Sequence, residues 1–549
     1  MRTFYRIKIK VYNIRFFCNS FITILLLFII LLAGCRKDEY DLDKFTASSD
    51  WEPDVALPLI YSSLDIDDIF SDHGNHYIEI DANKFTYLIY QKKVTSANAV
   101  DIIIIPNQFI NSTVTFNIPG NNLPIGSDYI TTYNSVYEFY FTHNEIIDSI
   151  YLKSAYLIFN INSNLNYDAT IDITLPTVTK NGVPFSTSLN LYAGGNPFYA
   201  LNLDGCVMKL GVQPSNENNK LTIKYTITVH GNGSSNNSPY NIYFNEYFSN
   251  IQFQKIYGYL GQFSFDAITD TLNVKLFNNA FSGFVDFENP HLYLMMSSSF
   301  GMPFNMHTSD FLAKTDHTST NFVDITGPAV PDISNPYLFP PVTLNNEGQT
   351  INKTIYLDKN NSSIYNAMLI SPRYIYCKPN MYANPAGVTN NFALDTSRFS
   401  FNMILELPLH GQAGGFVLQD TVPFEFEDID KLQYLQFNID ITNNFPVEAI
   451  TQVYFINSSN NVLDSLLNPL QTAVVAATPG PPPDYLVTHP ERKYLTVIFN
   501  KSRIHNLVGV KKLFINACLN SYNSNTDIVK IYSFYKLDVK LSVRAKFSY

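Results

Sequence analysis

Tyr535-Lys536-Leu537-Asp538-Val539-Lys540-Leu541-Ser542-Val543-Arg544-Ala545-Lys546-Phe547 sets an apolar or aromatic side chain at every odd position and a charged or hydroxyl side chain at every even one. Successive side chains of an extended chain point to opposite faces, so a period of two predicts a strand with one buried and one wet face. Burying a Val, Leu or Phe side chain contributes about 1.5–3 kcal/mol. Seven such positions on one face therefore predict that this strand closes the core of the last domain.

Upstream, the same reading gives short strands over 77–80, 85–90, 99–105 (stopped by Pro106), 112–118 (stopped by Pro119) and 137–141, separated by turn residues. Ser63, followed by Leu64-Asp65-Ile66-Asp67-Asp68, predicts one short helix with Ser63 as its N-cap. A longer unit begins at Tyr156-Leu157-Ile158-Phe159-Asn160-Ile161 and recurs as Tyr434-Leu435-Gln436-Phe437-Asn438-Ile439, five identities in six positions. In both copies an Asn-rich bend and a second strand follow, with turns at Asn181-Gly182 and Ser459-Asn460-Asn461. Phe287 to Phe304 forms a distinct middle unit, and Thr478-Pro479-Gly480-Pro481-Pro482-Pro483-Asp484 reads as a stiff connecting loop. Tyr (37) and Phe (42) suit pleated surfaces, while charged residues reach only 15%. The expectation is an all-β chain of tandem antiparallel β-sandwich domains, Ig-like or late-embryogenesis-abundant-like in type, over 55–245, 246–396 and 397–549.

The first 34 residues read differently. Arg2, Arg6, Lys8, Lys10 and Arg15 precede a run from Phe21 to Leu32 in which Thr23 is the single polar member. A spanning helix needs about 20 apolar residues. This shorter core ends in small residues, which predicts a cleaved signal peptide over 1–34. Leu32-Ala33-Gly34-Cys35 supplies a thiol as acyl acceptor, small residues before it and an apolar residue three positions back. It resembles the lipobox of bacterial lipoproteins, which implies acylation of Cys35 and anchoring of the protein to the outer membrane through its acyl chains. Each buried acyl CH₂ contributes about 0.8 kcal/mol, so more than one chain is needed for stable anchoring. Lys37-Asp38-Glu39 is similar to the short export signal that sends some lipoproteins to the cell exterior. Residues 35–54 then form an acidic tether.

From the lipobox onward, an ordered set of segments resembles a surface-type family of outer-envelope lipoproteins of Gram-negative bacteria. The segments are Ala56-Leu57-Pro58-Leu59, Leu175-Pro176 with Asn181-Gly182, the 287–304 unit, Leu405-Glu406-Leu407-Pro408-Leu409 before Asp420-Thr421, and the final strand. The resemblance brings no activity and no site residues. The strand, Asn-Pro, strand rhythm of the middle unit also resembles late-embryogenesis-abundant-like sandwiches, as a fold analogy alone.

Loss of residues 1–34 removes five cations and no acid, leaving 31 Lys+Arg against 47 Asp+Glu, a net charge of −16. Nucleic acid is excluded as a partner, since its phosphates call for clustered cations. No metalloprotease, nucleophile-elbow, P-loop or dinucleotide motif occurs, so no catalytic residue, metal ligand or cofactor is assigned. His73 and His76 form an isolated pair, Glu425 and Glu427 share one strand face, and Cys206, Cys377 and Cys518 are too scattered for a disulfide framework. Two functions follow from these readings. One is a non-catalytic binding, adhesion or structural module at the envelope, with a glycan or an outer-membrane protein as partner. The other is a glycan-active cell-surface hydrolase. Acids or histidines gathered at the mouth of a domain favour the hydrolase; exposed aromatics favour binding.

Overall fold

The computed structural model describes residues 54–70, 78–212, 217–265, 269–278, 280–318, 320–424, 429–467 and 471–547. Within them the chain is nearly all β, as its residue pattern requires, and its large sheets are antiparallel.

The first body is a sandwich. One layer sets Gln108–Phe116, Tyr240–Tyr259, Ile146–Ser163 and Phe198–Asn202 side by side; the other sets Val183–Leu191, Asp168–Lys180, Lys220–His230 and Asp128–Glu138. Val207–Lys209 bonds to a strand of each layer and makes the corner. Alternation places Tyr240, Ile242, Phe244 and Phe248 inside, where Tyr225 of the opposite layer lies 4.8 Å from Phe244 between ring centroids. The Asn181-Gly182 turn has φ of 53° and 79°, the left-handed pair that a two-residue hairpin connection demands.

Glu246 interrupts this apolar file. Its side chain sits on the inner face, 1% exposed, and accepts hydrogen bonds from Tyr137 and Tyr225 (2.5 Å to the latter) of the opposite layer and from Ser112 (3.3 Å) of its own. Burial pushes the carboxyl up to about 7, against the three hydroxyl donors, which favour the charged form.

Two further bodies follow. Thr86–Asn98, Arg398–Pro408, His291–Ser298 and Ile351–Leu357 form the main path of a five-stranded sheet. It packs through Phe399 on Phe304 and Phe339 of the neighbouring sheet. The last body combines a four-stranded sheet (Asp54–Leu64, Leu537–Phe547, Leu432–Asn443, Glu491–Asn500) with a seven-stranded one around His410–Pro423, Lys512–Ser521 and Val447–Ile456. Phe499 is fully buried between Phe437 and Phe455, with the Arg503 guanidinium 3.8 Å above its ring.

Both copies of the Y-L-x-F-N-I unit lie on inner strands; the Asn-rich bend of the first carries the chain between the two layers of one folded-over sheet, and that of the second from one sheet to another. The terminal alternation is present but shallower than expected. Ala545 is buried, whereas Leu537, Val539, Leu541, Val543 and Phe547 are half-buried, because the strand lies over a small core and is paired on both edges.

Position 245/246, expected as a boundary, lies inside the strand Tyr240–Tyr259. Pairing also joins distant segments: Asp54–Leu64 with the terminal strand, Thr86–Asn98 with Arg398–Pro408, and Asn391–Leu394 with Tyr240–Tyr259. Strand pairing across such separations leaves no trace in local composition. Two local expectations are also revised. Ser63 and Leu64 remain in strand, so the helix Ile66–Phe70 is capped by Asp65, which exchanges backbone-to-carboxylate bonds with Asp68 (3.0 and 3.1 Å). The apolar run from Ala99 opens as one helical turn over Ala99–Ile102, supported by the Asn98 to Asp101 bond (2.8 Å).

Two measurements check this account. Glu246 is protonated in both states below about pH 4.5. Between there and about pH 7 the unfolded chain ionises first and the folded state loses stability, by about 3 kcal/mol in all. Glu246→Gln should flatten that decline in denaturant melts at pH 5 and pH 8; an unchanged decline would refute the assignment. Phe499→Ala should cost about 3–5 kcal/mol, and a loss below about 1 kcal/mol would show that Phe499 does not organise the C-terminal core.

Candidate binding cleft

Five segments distant in sequence converge on a cleft of about 320 Å³. The turn Asp81–Phe85 forms because the Asp81 carboxylate accepts from the backbone N–H of Asn83 (2.8 Å) and Phe85 (2.9 Å). It presents Phe85 and, one step into the strand, Tyr87. Asn289-Pro290-His291 enters from the middle unit, and Pro408-Leu409-His410 joins two strands beneath. Leu409 is stitched on both sides, its N–H donating to Thr86 and its carbonyl accepting from Ile531. The proline-rich loop closes as a hairpin through Thr478–Pro479 and Val487–His489, delivering Asp484 and Tyr485. The loop before the terminal strand adds Lys530 and Tyr532.

The walls are aromatic. Phe85 meets Tyr87 edge-on at 4.8 Å and Tyr532 at 5.9 Å, and Tyr485 lies 5.5 Å from His410. Lys530 donates to the Pro483 carbonyl (2.7 Å) and stands 5.7 Å from the Phe85 and Tyr485 rings, so its charge is engaged by a dipole and two π faces. The Tyr532 hydroxyl donates to the Asp484 carbonyl (2.6 Å) and fixes the loop.

His291 decides what chemistry the cleft supports. Its Nδ1 is 2.8 Å from Glu406 Oε1, which also accepts from the Tyr293 hydroxyl (3.2 Å). A carboxylate only accepts, so Nδ1 carries a proton. Asn289 Nδ2 occupies Nε2. The carboxylate–imidazole pair thus resembles the orienting half of a triad, but its second nitrogen is covered by the Asn289 amide. Burial, then the Lys530 charge, holds His410 below the ordinary histidine range. Burial, with Asp81 and Glu406, raises Tyr87. At neutral pH the cleft therefore offers aromatic rings, phenols and the uncharged His410 imidazole, together with the Lys530 ammonium and the Asp81 and Asp484 carboxylates.

Cys35, Lys37, Asp38, Glu39, Trp51, His73, His76, Glu425 and Glu427 lie outside the described residues. Cys206 and Cys377 are buried free thiols, both raised by burial, and Cys518 is half-buried and free. Among the described residues no group of three or more His, Cys, Asp or Glu could hold a metal ion, and no helix is long and apolar enough to cross a membrane. The proline-rich loop and the Asn289-Pro290-His291 turn stand out in the sequence; their meeting with residues 81–87 and 530–532 does not.

The titration of His410 tests the cleft. Its NMR midpoint should fall below the ordinary 6.5 and rise in Lys530→Met. A midpoint at or above 6.5 would mean that the imidazole is not enclosed as described.

No family model matches the chain, and no curated protein matches it. Among solved structures, "a putative secreted protein from Parabacteroides distasonis" is 12% identical, with 51% of this chain and 82% of that one covered at a TM-score of 0.27. The infectious bursal disease virus VP2 subviral particle is 8% identical, with 81% of each chain covered at a TM-score of 0.14. Likeness at this level says nothing of what the chain binds or does.

Proposed function

We propose that this chain is a lipid-anchored outer-membrane protein, held by acyl chains on Cys35 and facing the cell exterior, whose β body is a non-catalytic binding and structural module of the envelope. The lipobox pattern supports the anchor, and Lys37-Asp38-Glu39 supports outward display. The strand that follows the tether, Asp54–Leu64, is bonded along its length to the terminal strand. A pull on the anchor would therefore load the C-terminal sheet across its ladder. Eighteen residues separate Cys35 from Asp54. Fully extended, they reach about 60 Å, enough to stand the body well clear of the headgroups.

One observation carries the choice of binding over hydrolysis: the histidine that a carboxylate orients in the cleft has its second nitrogen occupied by Asn289. An aromatic-walled pocket with oriented hydrogen-bonding groups suits recognition of a ring-shaped ligand.

Cys35→Ala should leave the fold unchanged and move the protein from membrane to soluble fractions; retention of that variant through a high-salt wash would end the anchor reading. With Lys37, Asp38 and Glu39 all replaced by alanine, protease shaving of intact cells should no longer degrade the protein. Equal shaving before and after would reduce the tripeptide to tether.

A further inference from the structure

The outer face of the first sandwich carries an ordered surface that the cleft does not use. Registers across four neighbouring strands align its outward side chains in rows. Phe109 stands opposite Tyr247, and Tyr247 opposite Ile158. Two residues along, Asn111, Asn245, Asn160 and Phe198 form a continuous row, and beyond it Thr113, Tyr243 and Asn162 form a third. Their inward neighbours Ser112, Phe244, Glu246 and Phe159 fill the core, so the rows are the other side of a pleat that the core fixes. The Phe109 and Tyr247 rings lie nearly parallel at 5.5 Å. Phe109 is 71% exposed, Phe198 61% and Tyr243 44%.

No Asp, Glu, Lys, Arg or His stands in these rows, although the whole chain carries a net charge of −11. The fold does not impose this. The second copy of the Y-L-x-F-N-I unit turns its outer face to solvent with Asp440 bonded to Arg492 (2.7 Å), Arg544 to Asp54 (2.6 Å) and Lys540 over the Tyr61 ring. One sheet face is laced with ion pairs; these three rows carry none, the pairs of their own strands, Lys153 with Asp395 and Lys255 with Glu347, standing further along. Large rings left in water across neighbouring strands mark a contact surface. The amide row through its middle suits a ligand rich in hydroxyls rather than an apolar protein face, and the lack of charge matches a ligand without charge.

We propose that this face binds a linear, neutral polysaccharide laid across the strands. Strands are about 4.8 Å apart, a spacing comparable to the length of one sugar unit in an extended chain, so successive sugars meet successive strands. Their ring faces stack on Phe109 and Tyr247 on one side and on Phe198 on the other. Their hydroxyls bond to the side-chain amides of Asn111, Asn245 and Asn160, each both donor and acceptor. The proposal rests on the binding-module reading and names its ligand class.

Native affinity electrophoresis of the full chain in mild detergent decides it, with hydroxyethyl cellulose, xylan and mixed-linkage β-glucan as neutral probes and polygalacturonate as the charged one. At least one neutral glycan should retard the protein. Phe109→Ala/Phe198→Ala/Tyr243→Ala, all on exposed positions and with an unchanged melting temperature, should weaken the apparent Kd at least about tenfold. Asn160→Asp/Asn245→Asp, which keeps shape and adds charge, should weaken it as well and serves alone if the triple variant misfolds. Retardation by polygalacturonate only, by none of the four, or equally for wild type and variants would overturn the proposal. So would a dimer in solution that the triple variant abolishes, since the face would then belong to a second copy. Membrane fractionation of Cys35→Ala is read independently, so failure of the anchor and failure of this site are distinguishable.

Discussion

The first sandwich is pinned by one carboxyl. Glu246 stands where alternation calls for an apolar side chain, and its oxygens are bonded by phenols from the facing layer and a hydroxyl from its own. Burying a carboxyl is costly unless its hydrogen-bonding capacity is met, and only one separation and one register of the two layers bring Tyr137 and Tyr225 to it. Apolar packing alone tolerates sliding; this node does not. The outer rows of the same strands inherit that register, so a core interaction sets which side chains line up on the wet face.

Antiparallel pairing between remote segments organises the remainder. The strand after the tether and the terminal strand share one ladder, and the strand Thr86–Asn98 joins a sheet whose His291–Ser298, Ile351–Leu357 and Arg398–Pro408 strands lie some two to three hundred residues later. The binding cleft is a product of this interleaving. Leu409, bonded to Thr86 on one side and Ile531 on the other, joins three distant parts of the chain at its base. Mechanical load from an anchor at Cys35 and occupancy of the cleft would then meet in the same C-terminal architecture.

Two surfaces of different chemistry result. The cleft encloses rings and oriented polar groups, with an imidazole set by Glu406 and capped by Asn289, which suits holding a ligand. The sheet face is open, uncharged and repetitive, which suits an extended polymer.

The sequence alone determined the all-β class, the strand character of both Y-L-x-F-N-I copies and the Asn181-Gly182 turn, because alternation and left-handed turn residues act within a few residues of themselves. It also carries Leu32-Ala33-Gly34-Cys35, which resembles a lipobox and is likewise a local pattern. Local signals misled where two structures compete for the same residues: the apolar run at Ala99 starts as a helical turn, and Asp65 displaces Ser63 as cap because Ser63 is held by the terminal strand. Tertiary structure decided which strands pair across hundreds of residues, that Glu246 faces inward, that Asn289 blocks His291, and that the outward residues of four strands form charge-free rows. Each depends on register between segments far apart in the chain, and register is fixed only when the core of both layers closes.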